Sequence, residues 1–302
     1  MELNEDMKTM LERIHEGEIL IADGAMGTQL QARGLPPGDC PELWCLTHPD
    51  VVQAIHRAYA EVGSDIVECN SFGASRYKLR HYGLADRVGE INRAAARLAR
   101  EVADGRQYVL GSVGPTGAFL EPVGDETEEA FATAFREQIE ALEAGGADAV
   151  IVETMTAIEE AAIAIRMARA HTALTVLASF TFDPQPSGDY ATMMGVTPER
   201  AVEAALEAGA HIVGANCGTG GRDMVAVIRR MKAAAAGAAP LLAMPNAGMP
   251  VLEGGRTIFR ETPEETAAYA VALVEAGVSV IGGCCGTGPD HIRAIRRAIR
   301  KA

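Results

Sequence analysis

Short apolar, often β-branched runs recur along the chain, and each is followed by a longer segment with helical periodicity. The runs lie at 18–24, 65–70, 107–114, 148–154, 174–180, 211–217, 240–246 and 278–285. None alternates strictly between apolar and polar positions, which is the pattern of strands covered on both faces in a parallel sheet. The segments HPDVVQAIHRAYAEVG, TEEAFATAFREQIEALEAGG, TPERAVEAALEAGA and TPEETAAYAVALVEAGV open at a capping or proline signal and close at glycine, as helices do. The phrase Glu-Ala-Gly leading into a strand recurs in EAGGADAVIV, EAGAHIVG and EAGVSVIGG, an echo of repeated strand–helix units. Eight such units in 302 residues predict an α/β fold, a single (β/α)8 TIM barrel. A doubly wound open sheet is the other arrangement of the same units. Segments 71–105 and 181–196 exceed a minimal connection and are expected to decorate the barrel.

A barrel of this kind gathers its chemistry at the C-terminal ends of the strands. The unusual polar residues fall there: Asp23-Gly24, Glu68-Cys69-Asn70-Ser71, Gly114-Pro115-Thr116, Glu153-Thr154, Asn216-Cys217, Pro245-Asn246 and Cys284-Cys285. The fifth strand supplies only Ser179 and Thr181. Cys217 in GANCGTG and the pair Cys284-Cys285 in IGGCCGTG share a Gly-Thr-Gly context, and are expected on neighbouring strands of one rim. Three cysteine thiolates hold zinc with the fourth position open, which is the catalytic form of a zinc site. Buried packing thiols and a vicinal disulfide are the alternatives. Cys40, Cys45 and Cys69 lack a metal-binding spacing and read as ordinary thiols, and His48, His56, His81 and His291 as surface or capping residues.

The loop DGAMGTQLQARG at 23–34 offers successive amides at Gly24, Ala25 and Met26. They form either a nest for a carboxylate or merely a tight turn. The loop has neither the GxGxxG nor the GxxxxGK[ST] spacing of nucleotide sites. Asp23 and Glu153 bring negative charge that could meet an ammonium group or do acid–base work. An anion nest, carboxylates and a thiophilic metal together suit an amino acid that carries a thiol.

Composition narrows the classes further. A hydrophobic content of 48% and a charged content of 23% are those of a soluble globular chain. The net charge of −14 opposes a nucleic-acid role, because phosphates would be repelled. Six cysteines are too few for a disulfide scaffold and suit a reducing compartment. No apolar run approaches the roughly 20 residues of a membrane span. The start, MELNEDMKTMLERIHEGE, has no secretion-signal pattern, so a cytoplasmic location is expected.

The motifs DGAMGT at 23–28, GSVGPTG at 111–117, IVET at 151–154, GANC at 214–217, MPNAGMP at 244–250 and GGCCGTGPDHI at 282–292 together resemble the homocysteine S-methyltransferase family. The likeness is greatest to the homocysteine-binding module of cobalamin-dependent methionine synthase. The resemblance implies an enzyme, a methyltransferase, whose residues 1–302 form one homocysteine-binding, zinc-dependent barrel domain. It implies Cys217, Cys284 and Cys285 as zinc ligands, with the homocysteine thiolate as the fourth. It also implies Asp23 and Glu153 for the substrate amino group, the amides of Gly24, Ala25 and Met26 for its carboxylate, and Asn246 for the zinc or the substrate. Members of the family take methyl groups from methylcobalamin, S-methylmethionine or betaine. GPTGAFLEPVG and MPNAGMPVLEGGRTIF look most like the cobalamin-dependent branch, yet the 302 residues contain no DxHxxG signature and no separate cobalamin or folate domain. The expectation is therefore methionine formation with methylcobalamin on a separate corrinoid protein as donor. Direct transfer from S-methylmethionine or betaine is the alternative, as is a zinc thiol-binding module without transfer activity.

Overall fold

Eight parallel strands form one sheet: β1 (Leu20–Ile21), β2 (Ile66–Glu68), β3 (Tyr108–Val113), β4 (Ala149–Met155), β5 (Thr175–Phe180), β6 (Ile212–Gly220), β7 (Leu241–Asn246) and β8 (Val278–Ile281). The computed structural model describes residues 8–103, 105–254 and 256–300. Strand order runs β1-β8-β7-β6-β5-β4-β3-β2, sequential around the sheet. A doubly wound sheet would reverse its order at a switch point, so the arrangement is the barrel. The β1–β2 seam is stitched largely by side chains. Asp65 N donates to Ile21 O at 2.6 Å, Ile21 N to Asp65 Oδ2 at 3.0 Å and Glu68 N to Asp23 Oδ2 at 3.0 Å.

The strands read as continuous apolar runs because both faces are covered. Ile66, Leu110, Ile151, Leu177, Ile212, Leu242 and Val280 point inward and pack together in the barrel interior. Their chain neighbours Val67, Val109, Val150, Val176, Val213 and Leu241 belong to the outer layer beneath the helices. A short helix, Met10–His15, closes the bottom, with Met10 and Ile14 joining the interior cluster.

The outer ring is α1 (Pro49–Val62), α2 (Val88–Ala103), α3 (Glu128–Ala144), α4 (Ile158–His171), α5 (Pro198–Ala208), α6 (Gly221–Ala235), α7 (Pro263–Glu275) and α8 (Pro289–Ile299). Thr127, Thr197 and Thr262 each accept a backbone N–H at a helix start, satisfying donors that the helix itself cannot. Gly63 and Gly209 end α1 and α5 in the left-handed conformation.

Three expectations change. Within 71–105 the part before Val88 decorates the barrel, whereas 88–103 is the regular helix α2. An antiparallel hairpin, Val251–Glu253 with Arg256–Ile258, adds to the decoration expected in 181–196, where Asp183–Pro184 pairs with Tyr190–Ala191. His56 is neither a surface nor a capping residue, for its ring lies fully buried within α1. Among the described residues, no helix is long and apolar enough to cross a membrane.

Candidate metal centre and substrate site

Counting by two along each strand from the apolar interior reaches a polar layer at the barrel mouth. Ile66 is followed by Glu68, Leu110 by Ser112, Ile151 by Glu153, Leu177 by Ser179, and Gly214 by Asn216. All five polar residues come from the same inward face, because side chains alternate along a strand. Ser112, Glu153, Ser179 and Asn216 are buried, so their polar atoms must find partners within the layer. Ser112 Oγ donates to Glu153 Oε1, and Ser179 Oγ donates to Asn216 Oδ1 at 2.7 Å. Asn216 Nδ2 donates to Glu153 Oε2 at 3.1 Å.

The three predicted sulfurs come together above this layer, with the Sγ atoms of Cys217, Cys284 and Cys285 all within 4.8 Å of one another. Strands β6 and β8 are not direct neighbours, as the sequence reading had it; β7 lies between them and delivers Asn246 to the same place. Cys217 reaches inward from a bulge. Asn216 pairs with Met244, but the next pairing is Gly220 with Asn246, so β6 spends four residues where β7 spends two. Cys217 adopts a left-handed φ of 57°, followed by Gly218 at 56°. The Cys284-Cys285 segment is pinned from both sides: Cys284 N donates to Pro245 O, Ala247 N to Cys285 O, and Gly283 N to Asp23 O.

The sulfurs share charge unevenly. S–H groups of Cys284 and Cys285 donate to Cys217 and hold its thiol far below the ordinary value. The same contacts push Cys284 well up and Cys285 up to about 11. Three thiolates at this spacing repel, and a divalent cation is what lets all three ionise together. Tetrahedral zinc with Zn–S bonds of about 2.3 Å sets its sulfurs about 3.8 Å apart, within reach of this cluster. The neighbouring Asn246 amide lowers the Cys217 thiol further, while its buried Oδ1 has no partner among the described residues and is open to a further ligand. The donor set thus fits zinc, with one position for a fourth ligand.

Acidic residues lie alongside. Glu68, absent from the predicted site, hydrogen-bonds Glu153 within the barrel. Glu153 already accepts from Ser112 and Asn216, so it is the ion and Glu68 is the carboxylic acid that donates to it. Burial and the Glu153 and Asp23 charges push Glu68 well up; burial pushes Asp23 up to about 8 and also raises Glu153. A bound ammonium group would relieve this crowding of negative charge.

The 23–34 loop is only partly open. Ala25 N donates to Thr287 O at 3.0 Å, so this amide is committed within the protein. Met26 opens a short helix, Met26–Ala32, capped by Ala25 without a side-chain bond. The amides of Gly24 and Met26 have no backbone acceptor outside that helix among the described residues. Gly24 is required where it stands, because a Cβ there would overlap Thr287 O.

The model of the family described as homocysteine S-methyltransferase matches residues 20–299. A methionine synthase of Mycobacterium tuberculosis is 36% identical over 299 residues, covering 93% of this chain but 24% of its own length. The chain thus spans about a quarter of the mycobacterial synthases it matches. Betaine–homocysteine S-methyltransferase 1 of Danio rerio is 33% identical, covering 95% of this chain and 74% of its own. Among solved structures, the metallated form of the homocysteine methyltransferase MmuM from Escherichia coli superimposes with a TM-score of 0.77. It is 25% identical and covers 95% of this chain and 98% of its own. The barrel, its sulfur cluster and these likenesses agree: the chain belongs to the homocysteine S-methyltransferase family.

Proposed function

We propose that residues 1–302 work as one zinc-dependent barrel that binds homocysteine and methylates its sulfur to give methionine in the cytoplasm. The observation that carries this reading is the cluster of Cys217, Cys284 and Cys285 beside buried carboxylates at one barrel mouth. Cys217, Cys284 and Cys285 would hold zinc, which when bound keeps the fourth-site thiol ionised at neutral pH and so nucleophilic. Glu153 and Asp23 receive the substrate ammonium, with Glu68 holding the proton that keeps three carboxyl groups compatible in one buried place. The Gly24 and Met26 amides receive the substrate carboxylate at the start of the short helix; Ala25 shapes the loop through Thr287. Asn246 orients Cys217 and offers its free Oδ1 to zinc or substrate. Together these contacts hold the sulfur facing outward, toward an incoming methyl group.

The methyl donor we propose is methylcobalamin on a separate corrinoid protein. Support comes from the rim. The exposed large hydrophobics Phe72, Tyr82, Phe119, Val123, Met193, Met194, Met249, Val251, Leu252 and Ile258 all lie on connections leaving C-terminal strand ends. Such a one-sided apolar surface suits a macromolecular donor better than a small one. The test is methionine formation from homocysteine with methylcobalamin, a methylated corrinoid protein, S-methylmethionine and betaine in parallel. Transfer from the corrinoid donors alone is expected. Turnover with S-methylmethionine or betaine alone would reject this donor, and zinc and homocysteine binding without turnover on any donor would reject transfer itself.

A further inference from the structure

Asn216 is fully buried, and every polar atom of its side chain is engaged. Its Oδ1 accepts Thr154 N at 2.9 Å and Ser179 Oγ at 2.7 Å. Those two donors settle the orientation of the amide. Its Nδ2 then donates to Thr154 Oγ1 at 2.7 Å and to Glu153 Oε2 at 3.1 Å, and lies 3.9 Å from Cys284 Sγ. One side chain thus touches β4 at two consecutive residues, β5 at its polar end and the sulfur after β8.

Its position in the backbone adds a second, independent observation. Among the described residues only three non-glycines have positive φ, and two of them, Thr154 and Cys217, both at 57°, flank this network. A non-glycine residue in that conformation is strained and persists only where its surroundings hold it. Thr154 is held through its own N–H and Oγ1, both bonded to Asn216. Cys217 follows Asn216 directly in the chain, so the clamp on the amide also sets where the left-handed turn begins. Both strands lose regular register at these points, β4 between Val152 and Met155 and β6 between Asn216 and Gly220.

We propose that Asn216 is a positioning residue that locks the carboxylate of Glu153 and the sulfurs of Cys217 and Cys284 into one rigid unit, so that metal affinity and amino-acid affinity are set together. The role rests on the zinc and homocysteine reading above. It gives the buried amide a function beyond packing: the distance between the ammonium-binding oxygen and the thiol-binding metal is fixed by one hydrogen-bonded side chain. A ligand that must span both groups is thereby measured for length.

The test uses purified full-length protein and two direct binding measurements, zinc by competition with a chromophoric chelator and L-homocysteine by calorimetry on zinc-loaded protein. Asn216→Asp keeps the acceptor but turns the donor facing Glu153 into a second carboxylate. Both affinities should fall by about tenfold or more, the range of outer-shell partners of metal ligands. The reciprocal pair N216D/E153Q puts an amide donor back between the two residues. It should recover zinc affinity to within about threefold, yet leave homocysteine weak because the charge of Glu153 is gone. A residue that only packs would not show this split rescue. If N216D does not fold, Thr154→Gly serves in its place. It deletes the Oγ1 contact while glycine accepts the left-handed conformation without strain, and both affinities should fall by about threefold or more. Wild-type affinities retained in N216D, or in T154G where it stands in, would overturn the proposal. Wild-type protein that binds neither zinc nor homocysteine would instead overturn the reading on which it rests.

Discussion

Glu68 and Glu153 touch, yet they are different chemical species, and their variants should diverge. Glu153 is the acceptor of Ser112 and Asn216 and carries the charge, whereas Glu68 is held protonated by burial and by its neighbours. Glu153→Gln removes the charge proposed to meet the substrate ammonium group, and should raise the homocysteine KM by about tenfold or more. Glu68→Gln keeps a donor toward Glu153 and should change that KM by only about threefold or less. Steady-state kinetics with varied homocysteine checks both. Of this site, the cysteines, Asp23, Glu153 and Asn246 were legible from unusual residues at strand ends. Ser112 alone is missing from the polar residues singled out at strand ends, because serine is common beside turns. Glu68, Ser179 and Asn216 stand among them without a role. The signal for all four was available, since each lies two residues beyond an inward Ile66, Leu110, Leu177 or Gly214.

At the scale of elements, the close approach of β6 and β7 depends on a missing side chain. A Cβ at Gly214 would overlap Leu242 O in the paired strand. Backbone cannot yield as a flexible side chain can, so Gly214→Ala should cost about 3 kcal/mol or more, read as a fall in the urea midpoint at unchanged slope. In α1, His56 is buried with both ring nitrogens unpaired, and burial lowers its pKa from 6.5 to about 4. The unfolded chain therefore takes up this proton first. Stability is fully present above pH 6.5 and is lost as pH falls toward about 4, by about 3 kcal/mol. Urea unfolding of His56→Leu across that window should show a loss smaller by that amount. The eight strands were legible because each is a continuous apolar run, and helix starts such as Thr127, Thr197 and Thr262 because capping chemistry is local. The hairpin of Val251–Glu253 with Arg256–Ile258 was not, because its strands are three residues each and the side chains of Val251, Leu252, Glu253, Thr257 and Ile258 are all exposed, with no alternation to read.

For the whole molecule, the mouth holds both the proposed reaction site and the exposed apolar residues. The double variant Phe119→Glu, Leu252→Glu changes two exposed rim residues on opposite connections, after β3 and after β7. It should leave zinc and homocysteine binding intact and keep transfer from free methylcobalamin. Transfer from a corrinoid protein should slow by about tenfold or more, because charge on an apolar docking face opposes association. The barrel itself was legible as a whole, since eight strand–helix units have few ways to close. What the linear order could not convey was that β7 stands between the two cysteine-bearing strands. The central claim is that three cysteines form a zinc site with one place for a thiol. X-ray absorption at the zinc edge of the loaded protein tests it most directly. The account predicts three sulfur neighbours at about 2.3 Å without substrate and four with L-homocysteine. Two or fewer sulfurs, or a sulfur count that does not rise when homocysteine is added, would contradict it.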